Sequence, residues 1–162
     1  MKRRAPLVTI VAVAALAAVS AVGAAVIGGT PGADHLVGTV GADVVYARAG
    51  DDIVYGKEGP DTLYGALGDD VLHGGAQSDV EFGGDGDDTL YGGPGADRLF
   101  GGPGADTLFA LANDNRRDYL DCGAGDDTAN LNVHERGLYQ VVGCEHVNWI
   151  DPSAEQAAEE SS

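Results

Sequence analysis

Residues 83–109 read GGDGDDTLY, GGPGADRLF and GGPGADTLF, three nine-residue blocks in one register with nothing between them. Working back from Gly83, the same spacing continues without a gap to Gly29. Residues 29–82 divide into GTPGADHLV, GTVGADVVY, ARAGDDIVY, GKEGPDTLY, GALGDDVLH and GGAQSDVEF. The sixth place is Asp in every block: Asp34, Asp43, Asp52, Asp61, Asp70, Asp79, Asp88, Asp97 and Asp106. The first place is Gly except at Ala47, the fourth is Gly except at Gln77, and the eighth is Leu or Val except at Glu81. A fixed period of this length is the mark of a stacked repeat architecture rather than of a chain of separate helices and strands.

Glycine at fixed places supplies backbone conformations with positive φ that other residues adopt only at a cost. The last three places of each block hold Val, Ile, Thr, Leu, Tyr and Phe, residues suited to short strands. Each block therefore reads as a six-residue turn and a three-residue strand, with the eighth place inward and its two neighbours outward. Two blocks complete one coil of a flattened right-handed spiral, so that blocks i and i+2 stack. The fold class expected is all-β: a right-handed parallel β-roll, or β-solenoid, of nine-residue repeats.

The blocks resemble the nonapeptide G-G-x-G-x-D-x-U-x of the RTX (haemolysin-type) calcium-binding repeats, in which U is a large aliphatic residue. Gly83–Tyr91, Gly92–Phe100 and Gly101–Phe109 match at every place. Earlier blocks depart at the second place, where Thr30, Thr39, Arg48, Lys57 and Ala66 replace Gly; the acidic sixth place is expected to be untouched by this. The resemblance implies a protein that binds several Ca²⁺ ions.

The residue chemistry points the same way. Stacked coils would set the sixth-place aspartates in two columns, about 4.8 Å apart along each. Bare carboxylates at that spacing repel, and a cation between them converts repulsion into binding. Backbone carbonyls of the turns, including those of Pro31, Pro94 and Pro103, would complete an all-oxygen shell, which suits Ca²⁺ far better than zinc or copper. Asp51, Asp69 and Asp87 add charge to the same turns. Sites between blocks i and i+2 number at most about seven in the regular stretch, and the two involving the block of Gln77 are the weakest. With little apolar content and a formal net charge of −17, the repeats are expected to fold only when the metal binds.

Beyond Phe109 the period slips by three residues, and two further blocks follow, NDNRRDYLD and CGAGDDTAN, with Asp118 and Asp127 at the sixth place. Asp127 joins the candidate metal ligands. Arg116 and Arg117 would compete for the carboxylates around Asp118. Leu138–Val142 and Glu145–Ile150 read as closing strands of a cap over residues 131–150, with Trp149 covering the end of the core. Cys122 and Cys144 are the two cysteines of the chain; in an exported protein they are expected to form a disulfide tying this cap to the last coil. Residues 151–162 read as a disordered acidic tail. Glu81, at an inward place, predicts a degenerate repeat with a local bulge, since a charge there is costly.

The N-terminus belongs to another class. Lys2, Arg3 and Arg4 precede an uncharged run from Leu7 to Ile27 with small residues at Ala21 and Ala24, the layout of a secretory signal peptide over residues 1–24; an uncleaved anchor is the other reading. Either places the repeats, residues 29–130, outside the cytoplasm. The acidic balance excludes a nucleic-acid surface, and nothing in the mature chain is apolar enough for membrane insertion. There is no H-E-x-x-H and no G-x-S-x-G, so no enzyme is expected. His35, His73, His134 and His146 read as scattered surface residues. The ninth-place aromatics, Tyr46, Tyr55, Tyr64, Phe82, Tyr91, Phe100 and Phe109, face outward. They either stack between coils or form an adhesive strip, which leaves a calcium-dependent adhesin or glycan- and cell-wall-binding module, with polysaccharide or protein partners, as the alternative function.

Overall fold

The computed structural model describes residues 23–153; the signal-peptide expectation falls almost wholly outside them, as does the acidic tail beyond Ser153. Fourteen strands alternate between two seven-stranded sheets. One sheet stacks β1 (Val26–Gly28), β3 (Val44–Ala49), β5 (Thr62–Leu67), β7 (Val80–Asp85), β9 (Arg98–Pro103), β11 (Asp118–Ala124) and β13 (Tyr139–Val142). The other stacks β2 (His35–Val37), β4 (Ile53–Glu58), β6 (Val71–Ala76), β8 (Thr89–Tyr91), β10 (Thr107–Ala110), β12 (Thr128–Asn132) and β14 (His146–Ile150). All pairings are parallel, and the molecule is a β-solenoid of about seven coils.

The register is the sequence period made visible. Val45 lies beside Leu63 and Leu63 beside Glu81, two blocks apart at each step, and the slip after Phe109 appears as Leu99 beside Leu120. The eighth-place residues Val45, Val54, Leu63, Leu72, Leu90, Leu99, Leu108 and Leu120 are completely buried and form two facing rows between the sheets. Because each row is one residue wide, the core is thin, and backbone pairing between coils carries much of the cohesion.

The expected three-residue strand is too short. Six of the fourteen strands run six residues, from the seventh place of one block through the third place of the next, as in Val44–Ala49. The turn proper shrinks to the fourth to sixth places. The pairing survives because the second place bends the strand through positive φ. Gly84 and Gly102 stand at 124° and 123°, and the non-glycines Arg48, Lys57 and Ala66 at 91°, 87° and 90°. Gln77, the exception at the fourth place, also adopts positive φ (82°) and donates its amide to the Pro94 carbonyl at 2.8 Å, so its turn keeps the common shape.

Glu81 overturns the expected bulge. Strand β7 is regular, with Glu81 paired against Leu63 on one side and Leu99 on the other. The side chain remains in the row, fully buried. At the C-terminal end the disulfide Cys122–Cys144 joins the end of β11 to the segment between β13 and β14. Trp149 pairs beside Leu131 and contacts the Tyr139 ring and the Arg136 guanidinium. Among the described residues no coil lies beyond it; Trp149 is 40% exposed and Val147 42%, so the core end is covered only in part by them.

Candidate metal centre

Two columns of aspartate run along the edges of the solenoid. Asp34, Asp52, Asp70, Asp88, Asp106 and Asp127 form one; Asp43, Asp61, Asp79, Asp97 and Asp118 form the other. In each column the backbone N–H of one aspartate donates to Oδ1 of the aspartate one coil further on, at 2.6–2.9 Å. The spacing is 18 residues along the regular blocks and 21 across the slip. Glu145 closes the first column by accepting the Asp127 amide at 3.0 Å.

These bonds use one oxygen of each carboxylate. The second oxygen, Oδ2, of Asp52, Asp61, Asp70, Asp79, Asp88, Asp106 and Asp127 is buried with no hydrogen-bond partner. Leaving such an acceptor unsatisfied costs about 1–3 kcal/mol, more when it is charged. At Asp61, Asp70, Asp79, Asp88 and Asp106 the orphan points toward the first-place glycine of its own block. A methyl group set on Gly56, Gly65, Gly83 or Gly101 would collide with the Oδ2 of Asp61, Asp70, Asp88 or Asp106 and with the first-place carbonyl of the next coil. Carboxylate and carbonyl oxygens thus converge beside each of these four glycines. Among the described residues no three or more His, Cys, Asp or Glu side chains meet in a metal-holding group, so a cation shell here would need backbone carbonyls as well. An oxygen-only donor set of this kind fits a hard divalent ion.

Burial, followed by repulsion from column neighbours, raises these carboxyls above the ordinary aspartate range, only partly offset by the amide each accepts. Asp79, Asp88 and Asp97 are pushed up to about 7, and Asp61, Asp70, Asp106 and Asp118 to about 6. Asp52 shifts in the same direction. Fully buried Glu81 is raised well above the usual carboxylate range, first by desolvation and then by Asp79 and Asp97.

The first two blocks differ. Asp34 Oδ2 accepts from the Thr30 amide at 2.5 Å and hydroxyl at 2.9 Å; Asp43 Oδ2 accepts from Thr39 at 2.5 and 3.1 Å. The expectation that second-place replacements leave the acidic group untouched therefore holds at Arg48, Lys57 and Ala66 but not at the two threonines. Asp118 sits in its column, and neither Arg116 nor Arg117 forms an ion pair with it among the described residues. Asp51, Asp69 and Asp87 lie outside the columns and bond fifth-place amides on neighbouring coils.

The ninth-place rings stack face to face between coils. Tyr46, Tyr64, Phe82 and Phe100 form one ladder at 4.9–5.0 Å. His73 is no scattered surface residue: it stands in the other ladder, 4.6 Å from Tyr55 and 4.5 Å from Tyr91, and burial lowers its pKa. His134 and His146 are exposed and pair with Asp151 and Asp126.

Two parallel sheets stacked from nine-residue blocks, with a column of half-satisfied aspartates along each edge, define a cation-binding β-solenoid. The model of the RTX calcium-binding nonapeptide repeat (4 copies) matches residues 28–63, 49–81 and 82–116, more than half of the chain. The chain belongs to that family and is a calcium-binding repeat protein. No curated protein matches it.

Proposed function

We propose that the chain is an extracellular calcium-binding module whose folding is driven by Ca²⁺ held between stacked turns, and that its role outside the cell is structural or interactive rather than catalytic. The observation that carries this reading is the set of buried, unpartnered Oδ2 atoms along both columns. Asp52, Asp61, Asp70, Asp79, Asp88, Asp106 and Asp127 would hold the ions, together with Asp97 in the same column and the first-place carbonyls beside them. Bound Ca²⁺ supplies the positive charge that lets neighbouring carboxylates stay ionised at close spacing. The protein's part is to hold Oδ1 on the adjacent coil's amide, which fixes the carboxylate plane and leaves Oδ2 free. At most about seven ions fit the regular stretch on this scheme. Asp34 and Asp43 would be the weakest contributors, since threonine already occupies their Oδ2.

Export follows from the signal-peptide pattern of residues 1–24 and gives the metal dependence a purpose. Extracellular calcium modules bind at about 10⁻⁴ to 10⁻³ M, so the chain would stay loose where calcium is scarce and fold outside. No helix among the described residues is long and apolar enough to cross a membrane. The adhesin or glycan-binding alternative has less support, because most ring faces are occupied by the next ring of the ladder.

The test is far-UV circular dichroism of residues 25–162 titrated with CaCl₂ and then with chelator. Reversible conversion from coil to β at millimolar Ca²⁺, absent with Mg²⁺, is the expected result. A β spectrum indifferent to chelator would mean a permanent solenoid and sink the proposal.

A further inference from the structure

Glu81 is the one acidic residue in a core row, and nothing in the row explains it. It occupies the eighth place of its block, between Leu63 and Leu99, with the strand undisturbed. Both carboxylate oxygens are buried and make no hydrogen bond of good geometry; the backbone amides of Gly74 and Tyr91 lie near them but offset the burial only in part. A group placed for packing alone would be aliphatic, as at every other eighth place of the regular blocks.

The direction of the side chain supplies the reason. A methyl group on Gly74 would lie 2.6 Å from Asp79 Oδ2 and 2.6 Å from Glu81 Oε1. Beside Gly56, Gly65, Gly83 and Gly101 the partner of the aspartate oxygen is instead the first-place carbonyl of the next coil. Glu81 therefore reaches from the core row to the first-place glycine of its own block and brings a second carboxylate oxygen there, whereas beside Gly92 only the Asp97 side chain comes as close. Asp79 Oδ2 is itself an orphan, so two unpaired carboxylates from one block flank the same point.

We propose that Glu81 is a calcium ligand acting with Asp79, and that this turn is the highest-affinity site of the solenoid because two side-chain carboxylates serve it. The inference rests on the calcium reading above. Charge count and rigidity are what tune calcium affinity in oxygen sites, and both favour this turn: the glutamate is fully buried between Leu63 and Leu99, and its charge adds to that of Asp79. The block with the weakest match to the repeat pattern then becomes the one where coil stacking starts.

Calorimetric titration of the full chain with CaCl₂ tests this, using Glu81→Gln and Glu81→Leu. Glu81→Leu restores the aliphatic row and should leave the metal-free chain at least as well folded, which removes misfolding as an explanation. Both variants should lose the tightest binding step, weakening it about tenfold, while the remaining steps persist. The carboxyl ¹³C resonance of Glu81 in glutamate-labelled protein, assigned by its loss in Glu81→Gln, should shift in that first step. Unchanged or tighter binding in Glu81→Leu would overturn the inference and make Glu81 a packing defect. If the wild-type chain binds no calcium, the parent reading fails instead, a separate and recognisable result.

Discussion

At Asp43 the second carboxylate oxygen accepts an amide and a hydroxyl from Thr39; at Asp61, one coil further along the same column, the corresponding oxygen is buried with no partner. The difference lies at the second place of each block. Thr39 and Thr30 keep ordinary backbone angles and turn amide and hydroxyl onto their own aspartate. Lys57 stands at φ 87° and makes no such bond; at Gly75, also at positive φ, the amide goes to the Gly92 carbonyl of the next coil. One aspartate can therefore end a turn by itself or wait for a cation, and the residue four places before it decides which. The first coil closes its own turns and the central coils do not.

The largest effect that would separate the two regions is removal of metal at controlled pH. In the metal-free fold seven column carboxyls, those of Asp61, Asp70, Asp79, Asp88, Asp97, Asp106 and Asp118, are raised to about 6 to 7, above the roughly 3.9 of an unfolded chain. Groups raised in this way contribute stability that is complete below the unfolded value and is lost as pH rises through the folded one. His73 acts in the opposite sense, since its lowered pKa makes the fold lose stability as pH falls below about 6.5. One imidazole does not outweigh seven carboxyls. The chelated chain should therefore show β structure near pH 4 and lose it by pH 7.5, followed by circular dichroism, with calcium restoring it at the higher pH. A metal-free fold stable at pH 7.5 would mean that the orphan oxygens cost little.

A smaller effect should come from single aspartates. Asp61→Asn removes the charge from an open turn and should raise the calcium midpoint several-fold; Asp43→Asn removes it from a closed one and should leave that midpoint within about twofold. Equal shifts in the two variants would show that threonine does not keep Asp43 out of the metal column.

Much of this was legible in advance because it repeats. Nine copies of Asp at the sixth place, and Leu or Val at the eighth in all but one, place the columns and the core rows and give the stacking of alternate blocks, while the Cys122–Cys144 bridge follows from the cysteine count of a chain read as exported. What escaped depends on single positions. Strand length was misjudged because a second-place residue with positive φ bends the chain without ending its pairing. Glu81 was expected to push its strand out, whereas backbone bonds on both sides hold it in line and the side chain finds an acidic edge to reach. Thr30 and Thr39 looked like neutral replacements of glycine. The signal was present as threonine four residues before aspartate in both blocks, but only the angles of the turn show that hydroxyl and carboxylate meet. Asp118 was discounted for its arginine neighbours, yet the three-residue slip is absorbed before it and the column continues.

The finest test of the comparison is Thr39→Val, which keeps the shape of the side chain and deletes the hydroxyl. The Thr39 amide still donates to Asp43, so only part of the closure is lost, and the fold should weaken by about 1 kcal/mol, the usual net value of one hydrogen bond. Urea unfolding should register that loss equally in saturating calcium and in metal-free protein at pH 4, because the missing bond is independent of the ion. If the loss appears only without calcium, the freed Asp43 oxygen has been taken up by a cation, and the first coil differs from the rest by one hydroxyl alone. The reciprocal change, Lys57→Thr, then becomes informative: it sets a hydroxyl four residues before Asp61, and the turn closes only if φ at position 57 relaxes from 87°. Closure would appear as a weaker calcium response at Asp61 with a gain in metal-free stability, showing that backbone angle and hydroxyl together, rather than the aspartate, choose between the two kinds of turn.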